Sequence, residues 1–136
     1  MAYWRLHYHL VWSTWQREPL LTGDRRRKAY GAILGKAKDL GVIIHAIGGA
    51  DDHVHVAASI PPRLSVAEVV GQLKGRSAHY ATDAHGVERN FAWQEGYGAL
   101  SLTDEALPGV IAYVLAQEQH HRGGSTKPAL ECCEAG

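Results

Sequence analysis

Two histidines one residue apart, His53 and His55, lie in a run of small and β-branched residues, Asp51-Asp52-His53-Val54-His55-Val56-Ala57-Ala58-Ser59. In an extended chain successive side chains alternate faces. Val54, Val56 and Ala58 therefore enter a core, while the two imidazoles stand together on the other face. Separated by about 7 Å at Cα, they make a half-site for a divalent cation, although a His-x-His pair on a half-exposed strand is also common polar filler. Further donors come from the C-terminal region, where Tyr113, Gln117 and His120 recur at helical spacing. They fall on a stripe roughly 100° round from the apolar stripe of Leu107, Val110, Ile111, Val114 and Leu115. A carbonyl oxygen from Gln117 beside two imidazoles gives a mixed N and O ligand set suited to Mg²⁺ or Mn²⁺, with positions left for water and substrate. A phenol next to such a cation is suited to attack on a phosphodiester, with charge withdrawn from the phosphate and from the departing oxygen. The phosphotyrosine formed would keep the energy of the broken linkage, so rejoining needs no nucleotide cofactor. A tyrosine four residues before a glutamine also arises by chance, so the elements that carry these groups must bring them together.

The first element is predicted from Tyr3 to Thr14, where Trp4, Leu6, Tyr8, Leu10 and Trp12 alternate with Arg5, His7, His9 and Ser13. The cationic and imidazole face suits a phosphate-bearing ligand lying across a sheet, and solvated edge residues account for it equally well. Asp24 is a candidate N-cap for a helix to about Leu40, stopped by Gly41, with Tyr30, Ile33, Leu34, Ala37 and Leu40 facing the sheet. Arg25, Arg26, Arg27 and Lys28 crowd the positive end of that helix, a conflict that points either to an external anion or to a solvated face. Val42 to Gly48 reads as a second strand, turning through Gly49-Ala50-Asp51 into the histidine strand, which Pro61-Pro62 ends. Ser65-Val66-Ala67-Glu68 is a capping box opening a second helix to about Tyr80, with Lys74 and Arg76 near its far end, either gripping phosphates or merely at the surface. After a loop, Tyr97 to Leu102 is a fourth strand, and Pro108 opens a last helix reaching His121.

Strand, helix, strand, strand, helix, strand is the order of an α+β, ferredoxin-like (RRM-like) domain: a four-stranded antiparallel sheet with two helices on one face. The other face is expected to be open, to carry His53 and His55, and to be approached by the last helix of the same chain or of a partner subunit. Residues 1–122 form the expected domain and 123–136 a short flexible tail. Fourteen basic and fourteen acidic side chains cancel, so any nucleic-acid site must be a local patch rather than a bulk attraction. With two adjacent cysteines, Cys132 and Cys133, no disulfide framework, no run long enough to cross a bilayer and no signal-peptide layout, a cytoplasmic protein is expected.

The chain resembles the single-tyrosine HUH transposases of small bacterial insertion sequences and their relatives associated with repetitive extragenic palindromes. The matching segments are His9-Leu10-Val11-Trp12-Ser13-Thr14 with Arg17, Asp52-His53-Val54-His55-Val56, Gln72-Leu73-Lys74-Gly75, Trp93-Gln94-Glu95-Gly96-Tyr97, and Tyr113-Val114 with Gln117 and His120-His121. The resemblance implies a divalent metal held by His53, His55 and Gln117. It implies cleavage of single-stranded DNA by Tyr113 through a 5′-phosphotyrosine with a free 3′ hydroxyl. It also implies a homodimer that recognises hairpins at element ends. On this reading Arg5, His7, His9, Arg25, Lys74 and Arg76 are candidates for holding DNA, and His120 for positioning the scissile phosphate or supporting Gln117. Two other classes fit parts of the pattern. A histidine-triad nucleotide hydrolase needs a third histidine where Ala57 stands, and an RNA-recognition module needs exposed aromatics where the strands offer Arg5, His7, His9, His53, His55 and Ala57.

Overall fold

The computed structural model describes residues 2–82 and 91–117. The elements run β1 (His7–Ser13), a 3₁₀ turn (Trp15–Arg17), α1 (Gly23–Leu40), β2 (Ile43–Gly49), β3 (His53–Ser59), α2 (Val66–Ala81), β4 (Gly98–Leu102) and α3 (Leu107–Leu115). The sheet order is β2-β3-β1-β4, and every neighbouring pair is antiparallel. This is the expected α+β arrangement. Among the described residues no helix is long and apolar enough to cross a membrane.

Alternation along β1 and β3 decides what each sheet face holds. Leu10 and Trp12 of β1 and Val54, Val56 and Ala58 of β3 pack with Ala29, Ile33 and Ala37 of α1 and Val69, Val70 and Leu73 of α2 in one buried core. Each fully buried Leu, Ile or Val there contributes about 1.5–3 kcal/mol. Local signals set the helix ends. Ser65 accepts a hydrogen bond from the Glu68 backbone N–H at 3.0 Å, and Gly41 closes α1 in the left-handed conformation at φ 76°. The N-cap of α1 is Thr22 rather than Asp24. Asp24 lies in the first turn, paired with Arg27 at 2.5 Å and Lys28 at 3.4 Å.

Two sequence expectations are corrected. β1 begins at His7, not Tyr3, because its partners end there: His7 pairs with Ser59, the last residue of β3, and with Leu102, the last of β4. Tyr3 is exposed, and Leu6 lies outside the core. The second sheet face is not open, since α3 packs on it, with Val110 and Val114 against Ala46 and Ala57. α3 spans Leu107–Leu115 with Ala116 as its cap, and the stretch beyond Gln117 over which the helix is expected to reach His121 lies outside the described residues. His120, His121 and the expected tail lie outside them.

Two local features let α3 lie on this face. A β-bulge between Ile44 and Ala46 shifts the register of β2 on β3. Ile44 and Ile47 consequently pack toward α1 and α2 while Ala46 meets α3. At Gly48, opposite His55, a Cβ would collide with the Val114 backbone carbonyl. The last turn of α3 therefore rests directly on bare backbone.

Candidate metal and nucleophile site

The face covered by α3 carries an unusual load of buried polar groups: His7, His9 and Ser13 from β1, His53, His55 and Ser59 from β3, and Gln117 just beyond α3. Such groups are tolerated only when hydrogen bonded or bound to a ligand. His53 and His55 lie as neighbours with ring centroids 5.0 Å apart and planes at 78°. The Tyr113 ring stands 6.0 Å from His55 and 6.5 Å from His9, edge-on to both. The helix of this chain thus brings the tyrosine to the histidines of its own sheet, a choice of partner that the residue pattern leaves open.

The hydrogen bonds divide the nitrogens by role. His53 Nδ1 bonds Asp52 Oδ1 at 2.7 Å, and this contact, ahead of the nearby Arg17 guanidinium 3.8 Å away, holds the Asp52 carboxyl below its usual range. His55 Nδ1 bonds His9 Nε2 at 2.7 Å. In both ligand candidates Nδ1 is thereby engaged, and Nε2 is the nitrogen that a cation would take. Gln117 Nε2 donates to the Tyr113 carbonyl at 3.1 Å, while Gln117 Oε1 is buried with no hydrogen-bond partner among the described residues. A buried amide oxygen left in that state carries a desolvation cost that a bound cation would offset. Among the described residues no three His, Cys, Asp or Glu side chains are placed to hold a metal, so a third donor drawn from those residues is of another type. Two imidazoles and an amide oxygen fit a divalent cation with open positions.

The model of the IS200-like transposase family matches residues 2–117. The chain belongs to that family. Transposases for insertion sequence IS200 from Salmonella typhimurium strain LT2 and from Salmonella typhi are each 37% identical over 76 residues, 55% of this chain and 49% of theirs. The match spans about half the length of those two relatives. The ISDra2 transposase TnpA of Deinococcus radiodurans is 24% identical over 119 residues, 84% of this chain and 85% of that one. Two solved structures share the fold, each with a TM-score of 0.65. One is a candidate transposase from Deinococcus radiodurans R1, at 22% identity, covering 86% of this chain and 95% of that one. The other is a REP-associated tyrosine transposase bound to a REP hairpin, at 17% identity, covering 93% and 76%.

In this IS200-like transposase chain the residues expected to grip DNA fall into two groups. His9 is 0% exposed and bonded to His55, and His7 is 6% exposed with both nitrogens engaged. His7 Nδ1 meets Ser59 Oγ and Nε2 meets Asp104 Oδ1, each at 2.6 Å. Arg5 is exposed but bonded to Asp104 at 3.0 Å. Lys74 donates to the Gln94 and Gly96 carbonyls at 2.8 and 3.1 Å, tying the aromatic segment before β4 to α2. Arg25 is half-buried in the first turn of α1, and Arg76 lines a cavity of about 350 Å³ between α1 and α2 with Arg27, Lys28 and Tyr80. The crowded cations of α1 are partly answered from within, by Asp24 and by Asp51, which lies 3.7 Å from Arg26.

Sequence reasoning missed Asp52, the tie between His9 and His55, and the second cluster of His45, Ser59 and Asp104 around His7. Asp52 stood in the quoted motif beside His53, and His9 faced the right way by alternation. The aim of His45 follows from the bulge, which has no signature in residue types.

Proposed function

We propose that this chain is a transposase that cleaves and rejoins single-stranded DNA with Tyr113 as nucleophile and a divalent cation, Mg²⁺ or Mn²⁺, held by His53, His55 and Gln117. The observation supporting the reading is that Tyr113 stands edge-on to His55 of the same chain, that His55 neighbours His53 and both are anchored through Nδ1, and that Gln117, one turn on, has a buried Oε1 with no partner among the described residues. When bound, the cation would draw charge from the scissile phosphate and the departing oxygen. The Tyr113 oxygen attacks phosphorus, the P–O3′ bond breaks, the phenolic proton is lost and the 3′ oxygen gains one. The products are a 5′-phosphotyrosine and a free 3′ hydroxyl. Reversal with another 3′ end rejoins the strand. Family membership supports DNA as substrate, and the hairpin bound to the REP-associated relative supports a hairpin at the element end as the recognised form. A homodimer acting in the cytoplasm completes the proposal. At 3% exposure Tyr113 is reached by DNA only if the cover over the site moves.

The test is incubation with labelled single-stranded DNA from the flanks of the gene, with Mn²⁺ or chelator. A denaturant-resistant adduct is expected for the wild type with metal, and none for Tyr113→Phe, which keeps the buried ring. An adduct formed by that variant, or undiminished cleavage in chelator, would falsify the assignment. The RNA-recognition reading loses its surface, because the strand face it would use is buried beneath α3. The histidine-triad reading still lacks its third imidazole, at Ala57.

A further inference from the structure

We propose that His9 is a positioning residue that fixes His55 in the tautomer whose Nε2 carries the lone pair for the divalent cation; the inference rests on the metal-site reading above. The His9 and His55 rings are nearly coplanar, at 11°, with centroids 4.9 Å apart, and His9 Nε2 lies 2.7 Å from His55 Nδ1. Rings in face-to-face contact would sit at about 3.5–4.0 Å. Here the nitrogen separation plus the two short centroid-to-nitrogen radii accounts for the whole 4.9 Å. The rings therefore meet edge to edge, each nitrogen pointing straight at the other, which is the strongest geometry for an N–H···N bond.

One proton occupies that bond. A neutral imidazole has a single N–H, so a His55 that offers Nε2 to a cation must carry its proton on Nδ1 and donate it to His9 Nε2. His9 then holds its own proton on Nδ1. The alternative, with His9 donating, would place the His55 proton on Nε2 and close the metal position. The choice of an imidazole partner follows from depth. His53 has a carboxylate, Asp52, whose side chain is 33% exposed. His55 is 0% exposed at mid-sheet, where a carboxylate would bring a buried charge that is uncompensated whenever the cation is absent, while imidazole accepts as a neutral group. An apolar side chain at position 9 would fill the space at lower desolvation cost, and would remove the acceptor that faces His55 Nδ1.

The experiment has two arms, neither involving DNA, so a protein that fails to form an adduct still tests His9. Long-range ¹H–¹⁵N correlation on the metal-free wild type reads the tautomers: His55 is expected protonated at Nδ1 and bare at Nε2. Calorimetric titration with Mn²⁺ then compares the wild type with His9→Phe and His9→Gln. The Phe variant should lose roughly 10–100-fold in affinity, with its His55 proton moving to Nε2. The Gln variant, whose amide oxygen still accepts a proton, should stay within a few-fold of the wild type. A metal-free wild type with His55 protonated at Nε2 overturns the proposal, as does a His9→Phe protein of unchanged tautomer and Mn²⁺ affinity. If His9→Phe does not fold, the wild-type spectrum decides alone.

Discussion

Asp52 accepts from His53 Nδ1 at 2.7 Å while the Arg17 guanidinium lies 3.8 Å away on its other oxygen. Arg17 reaches it from a turn in which both Gln16 and Arg17 hold positive φ, 51° and 52°, a conformation that disfavours side chains with a Cβ. The backbone is thus bent at some cost next to the proposed metal site. Replacing the carboxylate frees the His53 ring to rotate and to change tautomer. Asp52→Ala should weaken Mn²⁺ binding by about 10–100-fold and leave the fold intact, since the carboxylate borders solvent. Calorimetric titration beside a thermal melt measures both, and equal Mn²⁺ affinity in variant and wild type would refute the anchoring role.

At the scale of elements, the seating of α3 on β2 decides whether Tyr113 and Gln117 reach His55. That seating depends on Gly48, where an added Cβ would strike the Val114 carbonyl; Val114 itself is fully buried. Gly48→Ala should lift the last turn of α3, with an overpacking cost of about 1–3 kcal/mol and a lower Tm. Because Tyr113 and Val114 are adjacent, the same change should reduce Mn²⁺ affinity and adduct yield together. A variant with unaltered Tm and unaltered Mn²⁺ binding would show that this contact does not position the helix. The capping box of α2 offers a control far from the site. Ser65→Ala removes the bond to the Glu68 N–H and should cost about 1 kcal/mol without changing Mn²⁺ affinity, read by denaturant melts and the same titration.

For the whole molecule, acid sensitivity is built into the α3-facing layer. Burial, with the His7 and Arg5 charges added, pushes the His45 imidazole below its ordinary 6.5, so the unfolded chain protonates first as pH falls. The stability this group contributes is complete above about pH 6.5 and is lost as pH drops through the lower folded value. Hydrogen bonds from His53 and His7 hold the Asp52 and Asp104 carboxyls below their ordinary 3.8. Their contribution is present above that value and disappears as pH falls through the depressed ones. Chemical denaturation at pH 8, 5.5 and 4 should show stability declining from the first to the second, with His45→Phe flattening that step; a flat profile in the wild type would contradict it. The element order, the strand alternation of His53-Val54-His55-Val56, the Ser65 cap and the Gly41 stop were legible in residue types, because periodicity and capping are local properties of the chain. The residues proposed as ligands and nucleophile were singled out by their spacing and the family they resemble. Which face α3 covers, the pairing of His9 with His55, the use of Asp52, and the aim of His45 at the bulge were decided only in the folded protein. The His9–His55 pairing joins residues 46 positions apart, the aim of His45 depends on a register shift, and the anchoring by the neighbouring Asp52 depends on ring orientation; no local pattern encodes the distance between two strands that have yet to meet.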